Sequence, residues 1–527
     1  MPESNAERRL IERDSVQAGV WLVLVIGGIV GTVATFAQGN VPLGLAVGIA
    51  SIATWVGWGK LSGYLFGIRR HVTGHLCTSW GNTEVVRHVV SRRGRADLQI
   101  AVDEVRARFT SSGDVRTRFG LRMPFALAQT VEQNVKPAPI QWDPVPSGPG
   151  GATMRVVQHA LCLLRTRDGR PFVAVIRPGD SDSSYAIIDD DFDEGGRPRI
   201  SGSGQAYALE VAAADRATAD AALAELRDLA SAKSVYRGQV LSLEQPLPED
   251  VSEGDPFVVR FSDMAAVPRE RIVLPDEVMR VIERNVLGML KHREVLRATG
   301  RSTRHGLLFH GPPGVGKTLV TKYLARAAEG YTVIMLTGRH LRFIRESCRL
   351  ARLLAPSMVV MEDVDLVASE RRGNRHTTLL HELMDEMDGL GSKSDTIFIL
   401  TTNRPEILEP ALAARPGRVD QAVYFPLPDL ESRRRLFELF AKGLYLGKVD
   451  VEALLQRTES ASPAFIEELF RKAVLFAAER GERVVPMPME QADFDQALRE
   501  LVEFGGELTR SLLGHGSPRL SAPDRLA

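Results

Sequence analysis

The chain has 527 residues, with 66 Lys+Arg against 66 Asp+Glu and three cysteines. That length exceeds one ordinary core and predicts two or three domains with accessory segments. A formal charge of zero supplies no basic field for nucleic acid, which is therefore not an expected partner. Cys77, Cys162 and Cys348 are scattered without paired metal-ligand spacing and read as free thiols of a reducing compartment.

After a polar tail at residues 1–18, residues 19–36 read GVWLVLVIGGIVGTVATF without a charge. Roughly 18 residues rising about 1.5 Å each nearly cross a hydrocarbon core. Gln38-Gly39-Asn40 breaks the run, and a second uncharged stretch, residues 41–59, leads to Lys60, Arg69 and Arg70. Arg8, Arg9 and Arg13 precede the first run. The positive-inside rule then predicts a transmembrane helical hairpin over residues 19–61, with both termini and the bulk of the chain on the cytoplasmic side of a membrane. A cleaved signal peptide fits less well, because the second apolar run follows at once with no small-residue cleavage site. A buried apolar hairpin within a soluble domain stays open, with Gly27, Gly28, Gly31, Gly44, Gly48 and Gly57 marking close helix contacts.

Residues 62–147 are polar, basic in places and without clear periodicity, which predicts a juxtamembrane connector. Its run Arg92-Arg93-Gly94-Arg95 is expected in solvent or at lipid headgroups. A Pro- and Gly-rich linker at residues 143–151 opens a small α+β domain over residues 148–250. There, residues 154–166 and 171–176 read as strands around Arg167-Asp168-Gly169-Arg170, a hairpin turn in which Gly169 takes positive φ. Residues 207–211 read as a strand, residues 218–229 carry apolar side chains at helical spacing, and Val240-Leu241-Ser242-Leu243 is strand-like. The acidic run Asp189-Asp190-Asp191-Phe192-Asp193-Glu194 reads as a solvated loop. Nothing in this domain has catalytic spacing, so its expected role is to select a protein client or partner.

Gly306-Leu307-Leu308-Phe309-His310 is a short strand running into Gly311-Pro312-Pro313-Gly314-Val315-Gly316-Lys317-Thr318, and residues 319–328 read as a helix. Glycines let backbone N–H groups curl around phosphate oxygens, and the helix N-terminus adds positive potential. Lys317 is placed to reach the β and γ phosphates, and Thr318 to hold magnesium, so ATP and Mg2+ are the expected cofactors. Met358-Val359-Val360-Met361 is a buried strand ending in Glu362 and Asp363, with Asp365 beyond, which puts carboxylates at the sheet's carboxyl edge beside the phosphates. Glu362 is the second candidate metal ligand. Residues 397–402 form a further buried strand ending in Asn403, whose amide is placed to aim the attacking water. Arg415 and Arg418 follow on a turn and, read alone, are surface charges.

Taken in this order the segments resemble the AAA family of ATPases. The group in question carries a second region of homology, here Thr401-Thr402-Asn403-Arg404-Pro405 through Arg415-Pro416-Gly417-Arg418-Val419-Asp420. The resemblance covers about residues 261–501 and includes residues 379–390 and Phe425-Pro426-Leu427-Pro428-Asp429. It implies an α/β P-loop module over residues 255–428, a C-terminal helical lid over residues 429–505 and a flexible tail at residues 506–527. It also implies that Arg415 and Arg418 reach the γ-phosphate of a neighbouring subunit in a homo-oligomeric closed ring, usually of six.

Three features depart from the family pattern. The acids stand as Glu362 then Asp363 rather than Asp then Glu, so the water-orienting carboxylate is one methylene shorter. Residues 338–352 are too short for an aromatic pore loop. Ser462-Pro463-Ala464 stands where relatives carry Gly-Ala, and proline has no N–H to offer. The anchor, the Glu-Asp order, the missing pore loop and Pro-Gly-Arg-Val-Asp are similar to the branch of mitochondrial inner-membrane AAA translocases that moves the folded Rieske iron–sulfur protein. No His-Glu-x-x-His occurs, so membrane-anchored zinc proteases of the family are a poorer match. The expectation is a membrane-anchored AAA ATPase that couples ATP hydrolysis to remodelling or translocation of a protein client. The alternative is an ATP-gated membrane scaffold with slow turnover.

Overall fold

The computed structural model describes residues 67–91, 94–108, 118–123, 125–178, 206–245, 257–366, 386, 395–408 and 419–504. The expected membrane hairpin, the tails at both ends, the acidic run at residues 189–194 and the turn carrying Arg415 and Arg418 lie outside those residues. Among the described residues no helix is long and apolar enough to cross a membrane. The chain divides into two units, Met1–Pro144 with Arg155–Ala230, and Val145–Met154 with Ser231–Ala527.

The first unit contains α1 (Ile68–Leu76), β1 (Glu84–Ser91), α2 (Arg95–Ala107), β2 (Arg118–Gly120), α3 (Leu127–Glu132), β3 (Ala160–Arg165), β4 (Pro171–Pro178), β5 (Ala206–Ala213) and α4 (Arg216–Ala232). Its strands form an antiparallel sheet in the order β1-β5-β4-β3-β2. Successive side chains of β4 point to opposite faces, as the period of a strand requires. Phe172, Ala174 and Ile176 pack with Leu98, Val102 and Leu226 from α2 and α4. Val173 and Val175 pack with Ile68, Val72, Leu127 and Val131 from α1 and α3. Gly169 takes φ +86° in the predicted turn between β3 and β4.

This unit corrects the connector expected over residues 62–147, which instead supplies three helices and two strands to the domain. Arg95, expected in solvent or at lipid, is only 3% exposed. It donates to the Val157 carbonyl, pairs with Asp143 at 2.8 Å and lies 4.9 Å from the centre of the Tyr207 ring. Arg177 and Glu210, 0% and 4% exposed, form a second interior pair at 2.9 Å. Glu210 also accepts the backbone N–H of Leu127, so the buried charge is hydrogen-bonded as well as paired.

The second unit contains β6 (Val240–Glu244), β7 (Val258–Phe261), α5 (Asp276–Glu283), β8 (His305–His310), α6 (Lys317–Ala327), β9 (Thr332–Thr337), α7 (Ile344–Leu353), β10 (Ser357–Glu362), β11 (Thr396–Thr402) and β12 (Gln421–Tyr424). The sheet order is β12-β8-β11-β10-β9-β6-β7, parallel except for the antiparallel edge β7. Helices cover both faces, so β10 and β11 are buried along their whole length, with continuous apolar runs at residues 358–361 and 397–400. β6 was expected in the small α+β domain, yet Leu241 pairs with Ile334 of β9 in this sheet. Arg237 just before it donates to the Leu353 carbonyl at 3.1 Å and fastens its entry.

The lid follows with α8 (Leu430–Phe440), β13 (Leu444–Lys448), α9 (Val451–Arg457), α10 (Pro463–Glu479), β14 (Met487–Glu490) and α11 (Gln491–Arg499). Asp429, Asp450 and Ser462 cap three of these helices, accepting from Ser432, Ala453 and Phe465 N–H groups at 2.8, 3.0 and 3.1 Å. Each such cap is worth about 1 kcal/mol. Phe470 meets Phe437 and Phe494 edge-on, at 5.0 and 5.2 Å between ring centres, and closes the lid's core.

Candidate functional site

The site begins where β8 leaves the sheet at its carboxyl edge. Gly311 takes φ +151°, and a Cβ there would stand 2.3 Å from the Phe425 carbonyl oxygen, so only glycine lets the loop start beside the chain following β12. Gly316, at φ +96°, turns the loop into α6. Lys317, 6% exposed, points back across the loop and donates to the Gly311 and Pro312 carbonyls and to Asn403 Oδ1, each at 2.8 Å.

Beyond β10 the chain turns at Asp363 in a left-handed conformation, φ +54°, which aspartate tolerates better than most residues. Five hydrogen bonds tie this turn to the end of β11 and Asn403. Asp363 N–H donates to Thr401 Oγ1 at 3.0 Å and Val364 N–H to the Thr401 carbonyl at 3.0 Å. Asp365 Oδ1 accepts from Thr402 Oγ1 at 2.9 Å and from Asn403 N–H at 3.2 Å. The Asn403 side-chain amide donates to Asp363 Oδ1 at 3.2 Å, while Thr321 Oγ1 donates to Glu362 Oε1 at 2.7 Å.

Electrostatics follow from this crowding. Burial lowers the Lys317 pKa to about 8, against the raising influence of Asp363 and Asp365. Burial raises the Glu362 carboxyl above its ordinary range, opposed by the Thr321 hydroxyl. Asp363 is raised too, by burial and then by Asp365, with Lys317 and Asn403 pulling the other way. Beside these groups lies a cavity of about 350 Å³. Its walls include Ile272, Val273 and Leu274, the loop from Pro313 to Thr318, Asp363 and Asn403, and Leu436, Phe440 and Ala464 from the lid. One wall is apolar and the other a cationic, glycine-rich cradle, as a base joined to phosphates requires.

Of the residues singled out in the sequence, Gly311, Pro312, Pro313, Gly314, Val315, Gly316, Lys317, Thr318, Glu362, Asp363 and Asn403 gather at this edge. The donor set of Thr318 hydroxyl and Glu362 carboxylate is hard oxygen and suits magnesium. Arg415 and Arg418 belong to the turn outside the described residues. Not foreseen were Thr321, Asp365 as a bridge, the apolar wall of Ile272, Val273 and Leu274, and the lid residues Leu436 and Phe440. Thr321 had a signal, since it stands four residues after Lys317 on one face of α6. The Ser462-Pro463-Ala464 departure leaves the Ala464 N–H donating to the Gly314 carbonyl at 3.2 Å, so the lid's first available amide holds the loop itself.

Residues 307–427 match the family described as ATPase family associated with various cellular activities (AAA). The chain is 35% identical over 265 residues to the ATP-dependent zinc metalloprotease FtsH 1 of Sorangium cellulosum, covering 47% of this chain and 40% of that protein. It is 32% identical over 282 residues to the proteasome-activating nucleotidase of Thermococcus onnurineus, covering 50% and 69%. A cell division cycle protein 48 homolog of Archaeoglobus fulgidus is 32% identical over 267 residues, covering 46% and 35%. The chain thus spans well under half the length of two of these relatives and about two thirds of the third.

Proposed function

This chain belongs to the AAA family of ATPases, and from that premise we propose that it hydrolyses ATP to remodel or translocate a protein client as a membrane-anchored homo-oligomeric ring. The observation that carries the proposal is the convergence of Lys317, Glu362, Asp363 and Asn403 beside the glycine cradle and cavity. Two relatives support the protein client, since their names denote a protease and an activator of the proteasome. The uncharged runs at residues 19–36 and 41–59 support the anchor.

In this reading the loop's N–H groups and Lys317 bind the phosphates, and the apolar wall of Ile272, Val273 and Leu274 takes the base. Thr318 and Glu362 would hold magnesium, which would supply positive charge against the phosphates. Asp363 accepts a proton from the attacking water, and Asn403, hydrogen-bonded to both Asp363 and Lys317, keeps that carboxylate aimed at the γ-phosphate side of the cradle. The raised Asp363 pKa makes it a stronger proton acceptor than an exposed aspartate. Arg415 and Arg418 from an adjacent protomer stabilise the charge that develops on the transferred phosphoryl group.

Subunit mixing tests the shared site. Arg415→Ala alone should lose phosphate release, and adding Lys317→Ala subunits should restore part of it, because half of the mixed interfaces then join an intact loop to an intact arginine. Absence of restoration at any mixing ratio, with assembly intact, would remove the shared site. Retention of the cellular role by an assembled Asp363→Asn variant that does not hydrolyse would favour the scaffold.

A further inference from the structure

We propose that Asp365 is a positioning residue for hydrolysis: it fixes the backbone of Asn403 against the end of β10 and thereby sets the Asn403–Asp363 contact. The proposal rests on the ATPase reading above and adds to it a residue that does not touch nucleotide. The paired ladder between β10 and β11 ends at Met361 and Leu400. Past that point one backbone bond and several side-chain bonds join the two chains. Thr401 receives Asp363 on its hydroxyl and Val364 on its carbonyl. Asp365 Oδ1 then clasps the next two residues, Thr402 by its hydroxyl and Asn403 by its N–H, at 2.9 and 3.2 Å.

Asn403 is consequently held on three sides. Its carbonyl oxygen receives Lys317, its amide nitrogen reaches Asp363, and its backbone N–H is held by Asp365. The first two contacts involve groups that the proposed mechanism sets against nucleotide; the third does not. Asp365 is 5% exposed, so its carboxylate is sequestered and needs hydrogen-bond donors. A carboxylate in that position is tolerable because both of its donors are supplied by the strand end that carries Asn403. Shifts of about 1 Å in such supporting contacts change rates by about a hundredfold without altering substrate binding groups.

The test uses the full-length protein and compares Asp365→Ala with Asp365→Asn, whose remaining amide oxygen can accept the same two donors. Asp365→Ala should lower kcat for phosphate release by about tenfold or more while the affinity for ADP stays within about threefold. Asp365→Asn should recover most of that loss. In the Asn403→Ala background, Asp365→Ala should cost little further, because both changes remove one unit. Wild-type kcat in Asp365→Ala would overturn the proposal. So would an Asp365→Asn variant that binds ADP normally yet is as slow as Asp365→Ala, because charge and not position would then be the contribution. Failure of the wild-type protein to release phosphate would instead sink the ATPase reading, and the two failures are separately visible.

Discussion

At Lys317, burial and two carboxylates pull in opposite directions, and burial wins, leaving the ammonium with a pKa of about 8. The consequence is a pH dependence with a definite sign. Phosphate binds the charged form, which the free protein already carries below pH 8. Above it, each binding event must first take up a proton, so the apparent affinity for ATP should fall by about tenfold per pH unit between pH 8 and 10. Titration of ATP binding at pH 7, 8 and 9 checks this, and an affinity that stays level from pH 7 to 9 contradicts it. The Glu362 and Asp363 shifts act in the opposite pH range. Burial holds protons on both carboxyls to higher pH than exposed acids would keep them, so hydrolysis should decline on the acid side earlier than for an exposed pair.

Among the elements, the turn between β8 and α6 is tightly constrained. Gly311→Ala would add a Cβ that stands 2.3 Å from the Phe425 carbonyl, at a φ of +151°. Neither chain can yield without moving β12, so the variant should lose about 2 kcal/mol or more of stability along with nucleotide binding. Denaturant unfolding followed by an ATP titration measures both, and wild-type values in both would remove the constraint.

The same elements explain what was legible in the sequence. The loop, β10 and β11 announced themselves because phosphate binding demands glycines in a fixed order and buried parallel strands are continuously apolar. The cap residues Asp429, Asp450 and Ser462 made the lid's helix starts readable in principle. The antiparallel unit was half hidden. β1 and β2 come from a stretch with charges at Arg87, Arg95 and Arg118, and two of those arginines are interior and partnered, at 3% and 6% exposure. Polar composition there signalled solvent, while the structure satisfies the charge internally. β6 was recognisable as a strand but not as a member of the nucleotide sheet, because four apolar-rich residues do not say which neighbour they will pair with. Asp365 was visible as a carboxylate, but its hydrogen bonds to Thr402 and Asn403 join residues on different strands, which spacing along the chain does not reveal.

For the whole molecule, the family places an ATPase in the second unit, and the membrane anchor proposed above rests on the uncharged runs at residues 19–36 and 41–59. Sedimentation of membranes after an alkaline wash tests the anchor: the chain should stay in the pellet, and its release would return the apolar hairpin to a soluble assembly. We propose that the first unit selects the client while the second hydrolyses ATP. Everything downstream depends on triphosphate being cleaved in the cradle that Lys317 closes. The most direct measurement is steady-state phosphate release by the purified full-length protein with magnesium and ATP, beside Lys317→Ala and Asp363→Asn. Wild type should turn over, and each variant should fall by about a hundredfold or more. Equal release by wild type and both variants would contradict the account.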